Sequence, residues 1–468
     1  MGARQEADLL VLNADWAITV DASRRVIRDA GIAVKAGKFV AVGKSAEIER
    51  TWQAATVVSA KGMVATPGFV DAHLHSSFSL ARGLADESNA QAFLFEHMYP
   101  YEAVLGEEDV YTAVALAAAE MLRHGVTCFV EPGNYHPDAT VRAAMAAGLR
   151  MVLAVSCFDN NKAVTGIMPT AMIEDTARCI AKTEELFDRY PGNYGDRLTV
   201  SASFRGMNNS SDALILALKG IADQHDAVLQ THACYSYFTH DASVVQFGKP
   251  EIERLESLGV LDERMLLLHG GWLEPHEIAL LAKRKPTIVC CPSSSIHNGY
   301  GNLKVGMHPE LMALGVNVGL GTDHASSGTV DIVQEMRYCA CSYKELRLNP
   351  RIMPPEQAVE MATINGARGA GLGGRIGSIE AGMEADLVLF DASVPEWLPL
   401  YNPVSNLVYS ATGNTVKHVF VAGEQVVRDG RLTRVDEDAL YREVARAAAR
   451  VTGRLDMGRM VKLRWPVE

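Results

Sequence analysis

The sequence lacks the features of a membrane or secreted protein. Its 468 residues contain no run of 18 or more apolar residues, so no segment is long enough to cross a bilayer as a helix. The N-terminal stretch MGARQEADLLVLNADW does not show the basic and then apolar order of a signal peptide. We therefore expect a cytoplasmic protein without a membrane partner.

An excess of basic charge is also missing. Lysine and arginine total 44 residues against 56 aspartates and glutamates, which gives a formal net charge of −12. Nucleic acids and anionic lipid surfaces attract proteins with basic patches. The balance therefore argues against a nucleic-acid partner and against binding to an anionic membrane.

Two common signatures of cofactor sites are absent. The eight cysteines include no C-x-x-C pair of the zinc type, and in a reducing compartment they are expected to be reduced core thiols. The glycine-rich stretch GGRIGSIEAG neither follows a strand nor opens a helix with phosphate-loop spacing. It therefore predicts no nucleotide site.

The chain does contain a long alternation of strand and helix patterns. Between residues 69 and 380, eight short apolar runs alternate with helical segments such as DVYTAVALAAAEMLRHG. Eight strands interleaved with helices predict an α/β fold with a TIM-like (β/α)8 barrel. Residues 1–68 and 381–468 carry β-branched runs punctuated by glycine, and a helical tail follows. We predict that both chain ends build one small β-sandwich domain beside the barrel.

Polar side chains close several of these strands. The run FVDAHLHSS puts His73 and His75 two residues apart, so that both side chains of an extended strand point the same way. Strands five, six and eight end in His232, His269 and Asp323. Any one of these could be only a hydrogen-bonded loop residue, but in a barrel the carboxyl ends of the strands meet at one mouth. Imidazole and carboxylate suit zinc, iron or cobalt, so the set predicts a metal site with a position open to water.

The motifs GMVATPGFVDAHLHSS, GVNVGLGTD and NGARGAGLGGRIGSIEAGMEADLVLFD resemble the amidohydrolase superfamily, within it the branch of cytosine and nucleoside-type deaminases and chlorotriazine hydrolases. The resemblance covers nearly the whole chain. It implies that His73, His75, His232 and Asp323 hold one divalent metal ion, with zinc expected and iron or cobalt as alternatives. Strand four, RLTVSASFRG, lacks the lysine that bridges two metals in binuclear members, which favours a mononuclear site. The resemblance also implies a homo-oligomer, a dimer or a tetramer.

The same resemblance implies a mechanism. A bound divalent cation lowers the pKa of its water from 15.7 towards about 7 and so makes hydroxide available. Asp323 is expected to accept the proton of that water and pass it to the leaving group. His269 is expected to orient the hydroxide or to polarise the substrate.

Four positions depart from the deaminase pattern. Tyr235 stands where deaminases of this branch carry the glutamate that protonates a ring nitrogen. A tyrosine of ordinary pKa, near 10, is a poor proton shuttle at neutral pH. Arg205, His297 and His324 also differ from the usual family residues. Each of the four is either a substrate contact or a loop residue.

The missing glutamate bears on the substrate. A carbonyl carbon needs no ring protonation, so the sequence favours hydrolysis of a non-peptide C–N bond in a small neutral amide, urea or carbamate by metal-bound hydroxide. The alternatives are deamination of a heteroaromatic ring with another donor such as His297, and displacement of chloride. The remaining option is a non-catalytic binding protein, but such relatives typically lose metal ligands, and this chain keeps all five polar positions.

Overall fold

The computed structural model of the protein describes residues 4–160, 166–190, 197–461 and 464–466. Strands and helices alternate through the middle of the chain, and strands dominate the two ends. Within the described residues, no helix combines the length and apolar character needed to cross a membrane.

The chain begins with strands that belong to the terminal β domain. They are β1 (Gln5–Ile18), β2 (Val26–Lys35), β3 (Lys38–Lys44), β4 (Trp52–Ser59) and β5 (Met63–Pro67). A short helix, Ser45–Thr51, joins β3 to β4. The long β1 organises the group, because it pairs antiparallel with β2 and parallel with both β4 and β5.

Nine strand segments then form the eight strands of a parallel barrel. They are β6 (Phe69–Asp71), β7 (Val126–Val130), β8 (Arg150–Leu153), β9 (Leu198–Val200), β10 (Ala202–Gly206), β11 (Leu229–Ala233), β12 (Met265–His269), β13 (Thr287–Cys290) and β14 (Asn317–Leu320). β9 and β10 are one barrel strand interrupted at Ser201. The barrel closes between β14 and β6, where Ala72 N–H donates to the Leu320 carbonyl at 2.9 Å and Leu74 bridges to Asp323. The predicted barrel is confirmed.

Helices cover the barrel strands. Among the described residues, the α-helices of six residues or more between β6 and β15 are Glu107–Arg123, Pro137–Ala147, Thr176–Arg189, Asp212–Gln224, Tyr237–Phe247, Glu251–Ser257, Pro275–Arg284, Pro292–Asn298, His308–Ala313, Ile332–Leu346 and Pro355–Glu360. In β12, Leu266 and Leu268 belong to one core cluster, whereas Met265 and Leu267 belong to another. This alternation is typical of a strand whose two faces are both covered, which explains why the barrel strands are almost continuously apolar.

The chain returns to the terminal domain with four more strands. They are β15 (Leu387–Asp391), β16 (Val416–Val421), β17 (Glu424–Arg428) and β18 (Arg431–Leu432). β15 pairs antiparallel with β5, which joins both chain ends in one nine-stranded sheet. The backbone of Lys38, in β3, forms an antiparallel β-bridge with Glu384, and Phe39 N–H donates to the Met383 carbonyl at 2.9 Å. Because Met383 and Glu384 lie just before β15, these contacts curl the sheet over its core. The predicted small β domain from both ends is thus confirmed, as one curled sheet.

The helical tail packs on the barrel. Helix Glu437–Thr452 lies beside helix Glu107–Arg123, whose buried Asp109 pairs with Arg450 at 3.2 Å and with Arg454 at 2.7 Å. The sequence pattern predicts this helix but not the surface to which it docks, because the two paired segments are far apart along the chain.

Candidate metal centre and active-site cavity

Three residues at the ends of barrel strands have left-handed backbone conformations. They are Cys234 with φ 54°, His269 with φ 80° and Asp323 with φ 64°. Non-glycine residues at positive φ are uncommon, and they persist where the surrounding structure holds them in place. Their concentration at one end of the barrel marks that end as the candidate functional site.

The close approach of β14 to β6 places Asp323 beside the histidine pair. Asp323 N–H donates to the His73 carbonyl at 2.9 Å, and His75 N–H donates to the Asp323 carbonyl at 2.6 Å. Gly321 permits this approach, because a Cβ at that position would lie 2.9 Å from the backbone nitrogen and oxygen of His73. The backbone therefore fixes the relative positions of three candidate ligands.

The four predicted metal ligands form a tight cluster. The Oδ1 atom of Asp323 lies 3.0 Å from Nε2 of His73 and 3.8 Å from Nε2 of His75. The Nε2 atoms of His75 and His232 are 3.0 Å apart. One ligand atom from each of the four residues lies within 4.8 Å of the others. Zinc binds nitrogen and oxygen at about 2.0–2.2 Å, so these atoms can share one ion.

Protonation states in the cluster also suit a cation. Burial is the largest cause that lowers the pKa values of His75 and His232 well below the ordinary value, which keeps both imidazoles neutral. Nδ1–H of His232 donates to the Arg205 carbonyl at 2.6 Å, so its Nε2 lone pair faces the cluster. Burial would raise the pKa of Asp323, but the imidazoles of His324, His269 and His73 lower it well below the ordinary range. Neutral imidazoles and a carboxylate fit a divalent metal.

His269, predicted to assist the chemistry, lies at the edge of this cluster. Its Nε2 is 3.9 Å from Oδ2 of Asp323, and its ring centroid is 5.6 Å from that of His232. The His269 carbonyl accepts a hydrogen bond from Nε2 of His308 at 2.6 Å, and Nδ1 of His308 accepts one from the Tyr343 hydroxyl at 2.5 Å. This buried chain holds the left-handed backbone of His269 in place.

We predict that His269→Ala keeps the metal but loses turnover. His269 is not one of the four residues whose ligand atoms converge, so its removal leaves the cluster intact. A positioned acid–base group contributes roughly 10²-fold to 10⁴-fold, so kcat should fall by about 10²-fold or more. Elemental analysis and steady-state kinetics measure both quantities. His276→Ala is the matched control, because that side chain is 51% exposed. Wild-type activity in His269→Ala would show that His269 has no part in the mechanism.

The cluster opens into a cavity with aromatic walls. The cavity has a volume of about 600 Å³ including its open mouth, and its lining includes Phe78, Phe93, Tyr99, Tyr235 and Tyr300 together with the cluster residues His75, His232 and Asp323. The ring of Tyr235 lies 5.7 Å from that of His269 and 6.2 Å from that of Tyr300. Aromatic walls with a few converging polar groups suit a flat, mostly apolar ligand.

The structure brings three of the four candidate substrate contacts into this cavity. Arg205, Tyr235 and His324 line it. His297 is not among the described residues that line it, and its Nε2 instead lies 3.2 Å from Oδ1 of Asp86. The alternative in which His297 donates a proton to the substrate is therefore not supported by its position.

The charge of Arg205 at the cavity is balanced by an ion pair with Glu102. Its Nη1 donates to Oε1 of Glu102 at 2.7 Å and to Oγ of Ser156 at 3.3 Å, and the Arg205 and Glu102 side chains are each 3% exposed. Burial opposes the charge of Arg205, but the Glu102 carboxylate outweighs burial and raises the pKa of the guanidinium. The rings of Phe78 and Tyr99 lie 5.8 and 6.0 Å away. Such a pair suits a neutral ligand better than an anion.

Several side chains that hold the cluster were missed by the sequence analysis. Oγ of Ser294 donates to Oδ2 of Asp323 at 2.5 Å. The carboxylate of Asp71 accepts hydrogen bonds from the backbone N–H of Thr322 at 3.0 Å and from its hydroxyl at 2.6 Å. Asp71 ends strand β6, whereas Ser294 lies in helix Pro292–Asn298, which follows β13; a polar side chain close to a strand end was the signal available in the sequence. Their partners lie on other strands, so the sequence could not name them.

Similarity to known proteins extends over almost the whole chain. Residues 64–426 match the amidohydrolase family. The chain is 32% identical over 439 residues to a 5-methylthioadenosine/S-adenosylhomocysteine deaminase of Syntrophobacter fumaroxidans, covering 94% of this chain and 97% of the relative. It is 30% identical over 455 residues to a 5'-deoxyadenosine deaminase of Methanosarcina mazei, covering 96% of this chain and 100% of the relative.

Solved structures show the same architecture. An adenosine deaminase from Xanthomonas campestris with bound zinc superposes with a TM-score of 0.90 and 30% identity, over 96% of this chain and 100% of that chain. An atrazine chlorohydrolase from Arthrobacter aurescens, at 22% identity and a TM-score of 0.87 over 94% of this chain and 100% of that chain, shares the fold. This chain therefore belongs to the amidohydrolase family, as a metal-dependent hydrolase of carbon–nitrogen bonds other than peptide bonds.

Proposed function

We propose that this protein is an aminohydrolase that replaces an amino group on a nitrogen-containing aromatic ring by oxygen and releases ammonia. One observation carries the proposal: a cluster of imidazoles and one carboxylate opens directly into a cavity with aromatic walls. A planar ring can stack in such a cavity while its reacting carbon faces the cluster. The relatives that are 30–32% identical are deaminases of adenine nucleosides, which supports the same class of substrate here.

We assign the metal to His73, His75, His232 and Asp323, with one ion per chain. Zinc is the proposed ion, with iron or cobalt as alternatives, because three imidazoles and a carboxylate suit these metals. Strand four offers Arg205 where a bridging lysine would be needed for a second ion. When bound, a divalent ion lowers the pKa of its water from 15.7 to about 7.

Two contacts of Asp323 support a role in moving the proton of the attacking water. Its Oδ1 faces the imidazoles of the cluster, while its Oδ2 accepts a hydrogen bond from Ser294 and lies 3.9 Å from Nε2 of His269. We propose that Asp323 accepts the water proton and delivers it to the departing nitrogen. His269 orients the attacking oxygen, since its ring stands next to the same carboxylate.

A second candidate is hydrolysis of a carbonyl C–N bond in an amide, urea or carbamate. Tyr235 is the observation that favours it, because burial raises the pKa of this phenol well above its ordinary value. Tyr235 is therefore a weak acid towards a ring nitrogen at neutral pH. A carbonyl carbon does not need that proton, and the charge-balanced pair of Arg205 and Glu102 suits a neutral compound of either kind.

A turnover screen separates the two candidates. The zinc-loaded protein is incubated with adenine nucleosides, aminopyrimidines, amides, ureas, carbamates and chlorotriazines, and the release of ammonia, amine and chloride is followed separately. We expect ammonia from an aminated ring. Release of amine from carbonyl compounds alone would overturn the proposal in favour of the second candidate, and release of chloride alone would identify a dechlorinase.

Location and assembly stay predictions from the sequence. We propose a cytoplasmic dimer or tetramer that acts on a small molecule and has no nucleic-acid or membrane partner, in keeping with its net charge of −12. Sedimentation velocity of the purified protein distinguishes a monomer from these assemblies.

A further inference from the structure

The cavity contains a carboxyl group that the mechanism above does not use. Among the described residues that line the cavity, Glu251 and Asp323 are the two that carry carboxyl groups. Asp323 belongs to the metal cluster, whereas Glu251 begins the helix Glu251–Ser257 and is only 1% exposed. A carboxyl group buried to this extent costs free energy unless it is neutral or well bonded, so its position calls for a role.

Glu251 is held by the end of barrel strand five. Its Oε2 accepts a hydrogen bond from the backbone N–H of Cys234 at 2.5 Å. Cys234 has a left-handed backbone and lies between His232, an assigned ligand, and Tyr235. Glu251, which lines the cavity, is therefore anchored at the same strand end that supplies a ligand to the assigned metal site.

The three phenols in the cavity are poor proton donors near neutral pH. Burial raises the pKa values of Tyr235 and Tyr300 well above 10 and that of Tyr99 to about 12. Burial raises the pKa of Glu251 to about 7, against the opposing effect of the Cys234 hydrogen bonds. A general acid works best when its pKa is near the working pH.

Charged neighbours of Glu251 come from each element that packs around it. Glu277, on helix Pro275–Arg284, raises the pKa of Glu251, and His240, on helix Tyr237–Phe247, lowers it. Arg254, on the same helix as Glu251, is engaged by Asp212 at 2.7 Å. The protonated form of Glu251 is thus favoured by burial and by Glu277.

We propose that Glu251 protonates the ring nitrogen of the substrate and so supplies the acid that is missing at Tyr235. The inference rests on the proposed aminohydrolase function and adds a catalytic residue to it. A second carboxyl group on the cavity wall removes the chemical objection to a ring substrate that the tyrosine raises.

The proton balance of the step is complete. The oxygen of water bonds to the ring carbon that carries the amino group, one water proton passes to Asp323, and the proton of Glu251 passes to the adjacent ring nitrogen. Asp323 then gives its proton to the amino group, which leaves as ammonia when the C–N bond breaks. The hydroxyl proton of the adduct returns to Glu251 as the C=O bond forms.

The test compares Glu251→Gln with the wild type in the full-length, zinc-loaded protein. Because only protonated Glu251 can donate, wild-type kcat for ammonia release should decline as the pH rises through about 7. In Glu251→Gln we expect kcat to fall by about 10²-fold to 10⁴-fold, this decline to disappear, and KM and metal content to stay near wild type.

Glu277→Gln is the matched control. Glu277 is a buried carboxyl group next to Glu251, it accepts a hydrogen bond from the Ile252 N–H at 2.8 Å, and it does not line the cavity. Because the substitution removes a charge that raises the pKa of Glu251, we expect this variant to retain the decline of kcat with rising pH, but at a lower pH than in the wild type. Equal losses of kcat and metal in both variants would show that Glu251 only holds the strand end and would overturn the proposal.

A measurement without substrate separates this inference from the proposed function. Infrared difference spectra of wild type against Glu251→Gln should show a protonated carboxyl band at about pH 6 that is lost by about pH 8. If this titration is absent, the proposed role of Glu251 is overturned whatever the substrate. If the wild type released ammonia and Glu251→Gln kept its kcat, this inference alone would fail. If the wild type attacked only carbonyl compounds, the proposed function and the ring-nitrogen donor would fail together.

Discussion

Removal of the metal is expected to abolish turnover completely. The convergent atoms of His73, His75, His232 and Asp323 form one cluster, and without a cation there is nothing to activate water at neutral pH. A preparation dialysed against a chelator should be inactive, and zinc, cobalt or iron should restore activity. Elemental analysis of the restored protein should find about one metal ion per chain.

Magnesium provides the control for this experiment. It prefers an octahedral shell of oxygen ligands, so a cluster of imidazoles should not retain it and activity should not return. Circular dichroism should show that the chelated protein is still folded. A reproducible stoichiometry of two metal ions would contradict the mononuclear site, and turnover by the metal-free protein would contradict the assignment of the cluster.

The substitution Asp323→Asn is expected to be nearly as damaging. The amide keeps the shape of the side chain but loses the negative charge that faces His73 and the basic oxygen that takes the water proton. We expect kcat/KM to fall by about 10⁴-fold or more, which is about 5.4 kcal/mol of transition-state stabilisation. Steady-state kinetics with metal analysis measures how much of the loss comes from lost metal.

Tyr235→Phe is the comparison for this variant, because Tyr235 lines the same cavity. If Glu251 supplies the ring proton, removal of the phenol hydroxyl should change kcat/KM by less than about 10-fold. We therefore predict that Asp323→Asn loses far more kcat/KM than Tyr235→Phe. A Tyr235→Phe variant as inactive as Asp323→Asn, with metal bound and fold intact, would make the tyrosine a participant in proton transfer.

The proposed ring substrate rests on a contact that cannot be seen in the sequence. In the sequence, tyrosine at position 235 argues against a ring substrate, because the glutamate that usually protonates the ring nitrogen is missing. In the folded chain Glu251 hydrogen-bonds to Cys234, the residue next to Tyr235, and its carboxyl group lines the cavity. The same cavity can therefore hold both an acid and a metal, although the acid comes from a different element.

The barrel, the small β domain and the polar residues at the strand ends could all be predicted from the sequence. These features depend on local regularities: apolar runs that alternate with helical patterns, and side chains two apart on a strand that share a direction. His73 and His75 could be paired in this way, and His232 and Asp323 could be recognised because each follows an apolar strand.

The contacts of these side chains could be found only in the folded chain. Arg205 pairs with Glu102, 103 residues away in the chain, and His297 turns to Asp86 instead of the cavity. The helical tail docks on the barrel through Asp109. Each contact joins elements whose separation is set by barrel closure and by loop conformation. Neither leaves a periodic pattern in the sequence, because a loop is shaped by the packing of the elements on both sides of it.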